Sequence, residues 1–300
     1  MRSNRRFSLR EMASFVKQSG INWLSLKYFK LVSQKRVTLI RDGGLGDAIM
    51  STAVISAFQE KYPETRIRLI TSFPEVFDLL DIECSQTRSF PYFWLSYGFK
   101  DLPIVNKFGE KHIKFLMGGI VGLSDHEVHN YLIPFFSDVS FIESKGLRKN
   151  GYVIIQPEAG EWFRDKNWDN SSWIKLSTVL LKKGFVVCQI GTMSNKLIEG
   201  AVDFRGKCTL TESFTLVRYS RLVLCVNSFA EQVASAFNIP TIVLYGPTNP
   251  KYSLNQMQWS VYNDKIVSFE NLKQDTYHFS KVTDIQVETV QEAIEIALGN

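Results

Sequence analysis

Val37-Thr-Leu-Ile-Arg-Asp-Gly-Gly-Leu-Gly-Asp-Ala-Ile-Met-Ser-Thr-Ala-Val-Ile-Ser-Ala-Phe58 decides how the rest of the chain is read. A short apolar run ends in a glycine-rich turn, and an amphipathic pattern follows. That is a strand, a tight turn and a helix start, the unit that opens nucleotide-handling α/β domains. The turn is not the dinucleotide fingerprint, because Gly43, Gly44 and Gly46 do not fall into G-x-G-x-x-G. Asp47 stands where the turn enters the helix. Ligands of open α/β sheets bind in the crevice at the carboxyl ends of the strands, so a base placed there faces them. The commoner use of such an aspartate is as a helix N-cap.

The same rhythm returns further on. Tyr152-Val-Ile-Ile-Gln-Pro-Glu-Ala-Gly160 runs from a strand into a small-residue turn. Asp165-Lys-Asn-Trp168 follows, then a helix predicted over 171–183 and the strand Phe185-Val-Val-Cys-Gln-Ile190. Arg221-Leu-Val-Leu-Cys-Val-Asn-Ser228 is a strand that stops at a polar pair. A helix over 230–237, the strand Thr241-Ile-Val-Leu-Tyr245 and the turn Gly246-Pro-Thr-Asn-Pro250 come after it.

Together these segments resemble the bacterial heptosyltransferases of glycosyltransferase family 9. That family opens with a strand, an R-x-G-x-x-G-D turn and a helix, and Arg41 to Asp47 is similar to that turn. Its second half carries H-P-G-A-G, K-x-W, N-D-S-G-x-x-H and G-P-T-x-P. Here Gln156 to Gly160, Lys166 to Trp168, Asn227-Ser228 and Gly246 to Pro250 stand in that order at similar spacing. No one of these motifs is specific; the ordered set is. The resemblance implies a GT-B fold, two Rossmann-like domains facing a central cleft. It also implies inverting transfer of a sugar, heptose from ADP-heptose, to a lipopolysaccharide core or related surface glycan.

The chain departs from the family where Asp-Ser-Gly-x-x-His reads Asn227-Ser228-Phe229-Ala230-Glu231-Gln232. In the family this segment lies against the donor sugar and diphosphate. The resemblance therefore carries the nucleotide-sugar class further than the identity of the sugar. A transferase with another sugar-nucleotide donor, and a non-catalytic nucleotide-sugar or glycan-binding relative, are the alternatives.

Three hundred residues are long for one core and comfortable for two. We expect a basic arm over 1–36, an acceptor-binding domain over 37–147 and a nucleotide-sugar-binding domain over 148–300. The hinge is expected in the polar stretch Glu143 to Gly151. The resemblance also implies that the last helix, 287–298, packs back on the first domain. From Phe73 to Phe136 the pattern blurs. Within it, Phe90-Pro-Tyr-Phe-Trp-Leu-Ser-Tyr97 reads as an acceptor groove or, more commonly, as buried packing.

The net charge of +5 is unevenly spread. The arm holds nine basic residues against Glu11, a net of +8, which leaves −3 for the rest. Leu9, Met12, Ala13 and Val16, and again Ile21, Leu24 and Tyr28, follow helical spacing. Trp23, Tyr28 and Phe29 add aromatics of the kind that settle at a lipid interface. Two readings stay open: docking on an anionic membrane beside a lipid-linked acceptor, or a helix packed on the body with solvated basic flanks. Later basic residues are dispersed and no recognised module appears, which argues against nucleic acid. There is no run of ~18 apolar residues and no secretory signal pattern, so a cytoplasmic protein, peripheral on the membrane's inner face, is expected.

Cys84, Cys188, Cys208 and Cys225 show no C-x-x-C spacing, and Cys188 and Cys225 sit inside apolar strands. His126 and His129 read as a polar helix start, since nothing nearby completes a metal site. No Asp-x-Asp is present. Metal-independent chemistry without a cofactor follows, with lysine and helix N-termini holding a diphosphate. Asp47 is the expected base. Gly46, Gly160, Lys166, Asn227, Ser228, Phe229, Gln232 and Thr248 are the expected donor and phosphate residues. By family position, Lys207, Cys208 and Thr209 fall near the nucleoside, and Trp168 packs the core.

Overall fold

The computed structural model describes residues 9–32, 35–97, 111–160, 166–278 and 280–299. The first eight residues of the arm, with Arg2, Arg5 and Arg6, lie outside that set. So does Asp165.

Two mainly parallel sheets organise the chain. The first contains β1 (Arg36–Arg41), β2 (Arg66–Thr71), β3 (Glu83–Cys84) and β4 (Tyr92–Trp94), in the order β3-β2-β1-β4. The second contains β5 (Tyr152–Gln156), β6 (Val186–Gln189), β7 (Val202–Asp203), β8 (Leu222–Val226), β9 (Thr241–Leu244), β10 (Gln258–Tyr262) and β11 (Lys265–Ser268). Its order is β11-β10-β9-β8-β5-β6-β7, parallel except for the terminal β10–β11 hairpin. In both sheets the chain winds outward on one side of the first strand and then returns to its other side. The switch points lie between β1 and β4 and between β5 and β8. Crevices for ligands form at the carboxyl ends of such pairs.

Side chains of β5 alternate between two apolar clusters, as a strand buried on both faces requires. Val153 and Ile155 join Trp168 and Trp173 and the helices α5 (Asn170–Lys182) and α8 (Val287–Leu298). Tyr152 and Ile154 point the other way, into a cluster that runs without a break into the first sheet. The bridge is α2 (Leu45–Lys61), buried nearly all round, which packs on α7 (Phe229–Ala236) of the second sheet.

The last helix packs differently from the expectation. Helix α8 packs on β9, β10, β11 and α5, within the second domain, and Lys183 pairs with its Glu295 at 2.5 Å. Its buried stripe, Val287, Val290, Ala293 and Ile294, matches the apolar outer face of the second sheet and is spent there. The chain also crosses between the sheets ahead of the polar stretch where the hinge was expected. Leu132 N bonds Thr52 Oγ1 on α2 at 3.0 Å, while Phe136 N bonds Thr215 Oγ1 at 2.9 Å on α6 (Leu210–Arg218). The short α4 (Ser140–Ser144) already packs on α6.

Helix α1 (Leu9–Val32) covers the open edge of the first sheet. An edge strand presents unpaired backbone groups, and β4 is the edge. Asn22 satisfies both groups of Trp94, donating to its carbonyl at 3.0 Å and accepting from its N–H at 2.9 Å. Ser25 donates to the Tyr92 carbonyl at 2.8 Å. Phe29 is buried against Phe58 and Tyr62 of the α2 end, with ring centroids 5.5 and 5.0 Å away. Of the apolar residues whose spacing marked the helix, Val16 and Leu24 face outward, while Tyr28 packs on the Phe90 ring at 4.9 Å. Polar Asn22 and Ser25 win the inner face because the strand edge needs hydrogen-bond partners. We expect Phe29→Ala to cost about 3–5 kcal/mol, the usual range for emptying such a site. Urea unfolding checks this, and a loss below 1 kcal/mol would mean α1 is loosely held.

The aromatic run divides. Phe93 enters the core, Arg88 stacks on Tyr92 and Trp94 at 5.4 and 5.5 Å, and Tyr97 goes to the cleft. His126 and His129 are surface residues. Ser124 and Glu127 close a capping box over the 3-10 turn Asp125–Glu127, and His126 Nε2 lies 3.3 Å from Ser124 Oγ.

Candidate active site

The first half of the site is built at the carboxyl ends of β1 and β4. The turn after Arg41 needs glycine at Gly43, whose φ is +121° and whose added Cβ would press on the Arg41 guanidinium at 3.0 Å. Gly44 is the N-cap of α2, and no side chain caps it. Asp47 is therefore not a cap. Its Oδ2 pairs with Arg41 Nη2 at 2.5 Å and accepts from the Tyr97 hydroxyl at 3.0 Å. Arg41 is fixed in turn by the Leu95 carbonyl at 3.2 Å and lies over the Tyr97 ring. Burial, reinforced by the Asp47 carboxylate, pushes the Tyr97 phenol far above its ordinary pKa, so it stays a donor. Both contacts use Oδ2, and Oδ1 has no partner among the described residues. The Asp47 side chain keeps 19% of its surface exposed.

The second half lies at the carboxyl ends of β5 and β8. Gln156 ends β5, and its Oε1 accepts from Ser228 Oγ at 2.5 Å and from Ala230 N at 3.2 Å. Thus one N–H of the α7 start, and the Ser228 hydroxyl, are already engaged by protein. Lys166 is positioned by its neighbours: Asn167 Oδ1 takes the Ala159 N–H at 3.0 Å, and Trp168 is buried with Nε1 on the Ile285 carbonyl at 3.0 Å. The Lys166 ammonium donates to Asn227 Oδ1 at 2.7 Å. Burial lowers its pKa, while the carboxylates of Glu231 and of Asp47 push it back up.

That last influence joins the halves: the aspartate of the first sheet and the lysine of the second share one electrostatic environment. The backbones meet as well. A Cβ added at Gly46 would lie 3.5 Å from Phe229 Cα, in ordinary contact, so the starts of α2 and α7 face each other. Helix N-termini carry partial positive charge, and two of them converge here.

The other expected residues fall as follows. Gln232 is buried, with Nε2 on the Ser253 carbonyl at 3.4 Å and Oε1 taking Asn255 Nδ2 at 3.3 Å, and it lies beside Gly46. Phe229 is half-buried at the α7 start. Thr248 is half-buried in the turn after β9, where the Tyr277 hydroxyl bonds the Gly246 carbonyl. Gly160 stands in open space after β5. The contacts of the nucleoside candidates are local: Lys207 pairs with Asp203 at 2.7 Å, Thr209 caps α6 with Glu212, and burial raises the half-buried Cys208 thiol.

Sequence reasoning missed Tyr97, Glu231, Tyr245 and Ser253. Glu231 is fully buried, with Oε2 on Asn227 Nδ2 at 2.7 Å and Oε1 on the Tyr245 hydroxyl at 2.5 Å. A lone charged residue in a helix otherwise of small, apolar and uncharged polar residues, four residues after Asn227, was the available signal. Among the described residues, no group of three or more His, Cys, Asp or Glu side chains is arranged to hold a metal ion.

Two facing α/β sheets with a polar cleft at both switch points define the GT-B class. The family model of glycosyltransferase family 9 (heptosyltransferase) matches residues 128–286, more than half of the chain, and the chain belongs to that family. Lipooligosaccharide heptosyltransferase 2 of Haemophilus influenzae is 30% identical over 101 residues, 29% of this chain and 29% of the relative's own length. The chain therefore matches less than a third of that curated relative. The structure of E. coli ADP-heptose lps heptosyltransferase II superposes with a TM-score of 0.64 at 15% identity, covering 88% of this chain and 98% of that one. E. coli heptosyltransferase WaaC with ADP gives 0.57 at 11% identity, over 87% and 99%.

Proposed function

We propose that this chain is an inverting glycosyltransferase that moves heptose from ADP-heptose to a lipopolysaccharide core or related surface glycan. The observation that supports the reading is that the Asp47 carboxylate, held by the first sheet, acts electrostatically on Lys166, held by the second. The family's relatives and the ADP bound by one structural neighbour supply the donor and acceptor class. Acceptor hydroxyl oxygen attacks the anomeric carbon from the Asp47 side. Its proton passes to Asp47 Oδ1 as the carbon–oxygen bond to the diphosphate breaks on the opposite face. The departing diphosphate takes the bonding pair. Lys166 and the facing helix starts receive its charge, stabilisation that grows as the bond breaks. Gly46, Gly160, Ser228, Phe229, Gln232 and Thr248 shape the donor side, and Lys207, Cys208 and Thr209 the nucleoside side. No step draws on a metal ion.

A thermal-shift panel of nucleoside diphosphate sugars tests the donor, since a ligand bound only to the folded state raises apparent stability by mass action. ADP-heptose should give the largest shift. A larger shift with another sugar nucleotide favours the second reading, a different donor, for which Asn227, Phe229 and Gln232 are the motive. No shift with any of them would favour a non-catalytic role.

The outward face of α1 supports a place on the inner face of the cytoplasmic membrane. Trp23 and Leu31 are 60% and 82% exposed, and Lys17, Lys27 and Lys30 stand among them. Lys27 lies over the Trp23 ring at 5.8 Å. No helix among the described residues is long and apolar enough to cross a membrane. Replacing the three lysines by glutamine should weaken sedimentation with anionic vesicles about tenfold to a hundredfold at low salt, and far less at high salt. Equal sedimentation of the variant would remove the membrane from the account.

A further inference from the structure

We propose that Glu231 is the positioning residue of the diphosphate-binding lysine: its carboxylate takes the Asn227 amide N–H and thereby turns the amide oxygen onto the Lys166 ammonium. The inference rests on the reading of Lys166 as the diphosphate contact. An amide has a donor end and an acceptor end, and only the acceptor end suits an ammonium. A carboxylate accepts only, so it fixes which end faces it. Glu231 Oε2 holds Asn227 Nδ2 at 2.7 Å, and Asn227 Oδ1 receives Lys166 Nζ at 2.7 Å. Ser253 Oγ takes the other amide hydrogen at 3.0 Å, so the amide is locked from three sides. Glu231 is itself held by the Tyr245 hydroxyl at 2.5 Å.

This arrangement accounts for an amide at position 227. An acid there would set a second carboxylate against buried Glu231, which disfavours ionisation of both. The negative charge sits one helical turn further on and reaches the lysine through the amide. It also opposes the effect of burial on Lys166, which favours the neutral amine. The titratable groups that face Glu231 are Tyr245, Tyr131, Cys225 and Lys166, with Asp47 beyond Lys166. Burial pushes Tyr245, Tyr131 and Cys225 above their ordinary values and raises Glu231 itself, opposed there by the bonds from Tyr245, Asn227 and Ser253 and by the Lys166 charge, whereas it lowers Lys166.

The sign follows. The ammonium contact is complete below the folded-state pKa of Lys166 and is lost as pH rises through it. Removing the Glu231 charge lowers that pKa further and releases the amide. Glu231→Gln should therefore bind ADP about tenfold to a hundredfold more weakly, the worth of a charge-assisted contact. The deficit should grow as pH rises toward the ordinary lysine pKa of about 10.4. Asn227→Asp with Glu231→Gln moves the carboxylate next to the lysine and should restore both affinity and pH profile. Titration calorimetry of the full chain with ADP, with thermal melting to check folding, reads all of these. If Glu231→Gln is folded and binds ADP as tightly as wild type, or more tightly, with the same pH profile, Glu231 positions nothing. If it is unfolded, failure of the folded double variant to bind like wild type overturns the proposal equally. Lys166→Ala binding ADP like wild type would instead overturn the underlying reading of the site.

Discussion

Replacing Asp47 by asparagine should lower turnover by about 10²–10⁴-fold, the usual worth of a positioned general base. The substitution keeps the side chain's size. Asparagine Oδ1 can still accept from Arg41 and Tyr97, so the turn after β1 should hold its shape. What is lost is the carboxylate oxygen that has no partner among the described residues. Donor affinity should change far less, because the lysine read as the diphosphate contact comes from the other sheet and the α2 backbone is untouched. Steady-state rates at saturating acceptor, with donor affinity measured separately, decide the matter. Near-wild-type turnover would make Asp47 a structural partner of Arg41 and nothing more.

Lys166→Ala should have the second-largest effect, and on a different quantity. The lysine is half-buried, its ammonium is already aimed by Asn227, and it pays little ordering cost when a diphosphate arrives. A charge-assisted contact is worth roughly 1.5–3 kcal/mol, so affinity for donor and for free ADP should fall about tenfold to a hundredfold. The loss should be partly shared by kcat, since the charge on the diphosphate grows as the bond breaks. Unchanged ADP affinity by calorimetry would remove Lys166 from the site.

The frame of this molecule was legible in the chain where apolar runs are long. β1, α2, β5, β8, α7 and β9 lie within a few residues of where strand and helix periodicity put them, because each is buried on two faces and tolerates few polar residues. β3 and β7 are two residues long and have no period to read. The β10–β11 hairpin did carry a signal: its turn is Asn263-Asp264, both at positive φ, the residue types such turns prefer. Helix α1 was visible as a helix, but its apolar spacing left open which residues would meet the body. The need of β4 for hydrogen-bond partners, invisible in one sequence, turned Asn22 and Ser25 inward.

The site was legible in the same uneven way. Asp47, Lys166 and Asn227 stand at strand ends and turns, where local sequence marks a ligand crevice. Tyr97 reaches Asp47 only because β4 lies beside β1, a pairing the aromatic run gave no means to foresee. Glu231 was passed over because an acid in a helix usually faces water, and burial with Tyr245 and Asn227 is a property of the assembled fold.

One measurement bears most directly on the claim that two sheets bring a base and a diphosphate cradle to one reacting carbon. The full chain is given ADP-heptose with and without a heptose-bearing lipopolysaccharide core fragment, and ADP release and the anomeric configuration of the product are followed by NMR. The account predicts acceptor-dependent release and an inverted product, with Asp47→Asn slowed in transfer yet still binding donor. A retained configuration, or release that neither the acceptor nor Asp47 accelerates, would contradict it.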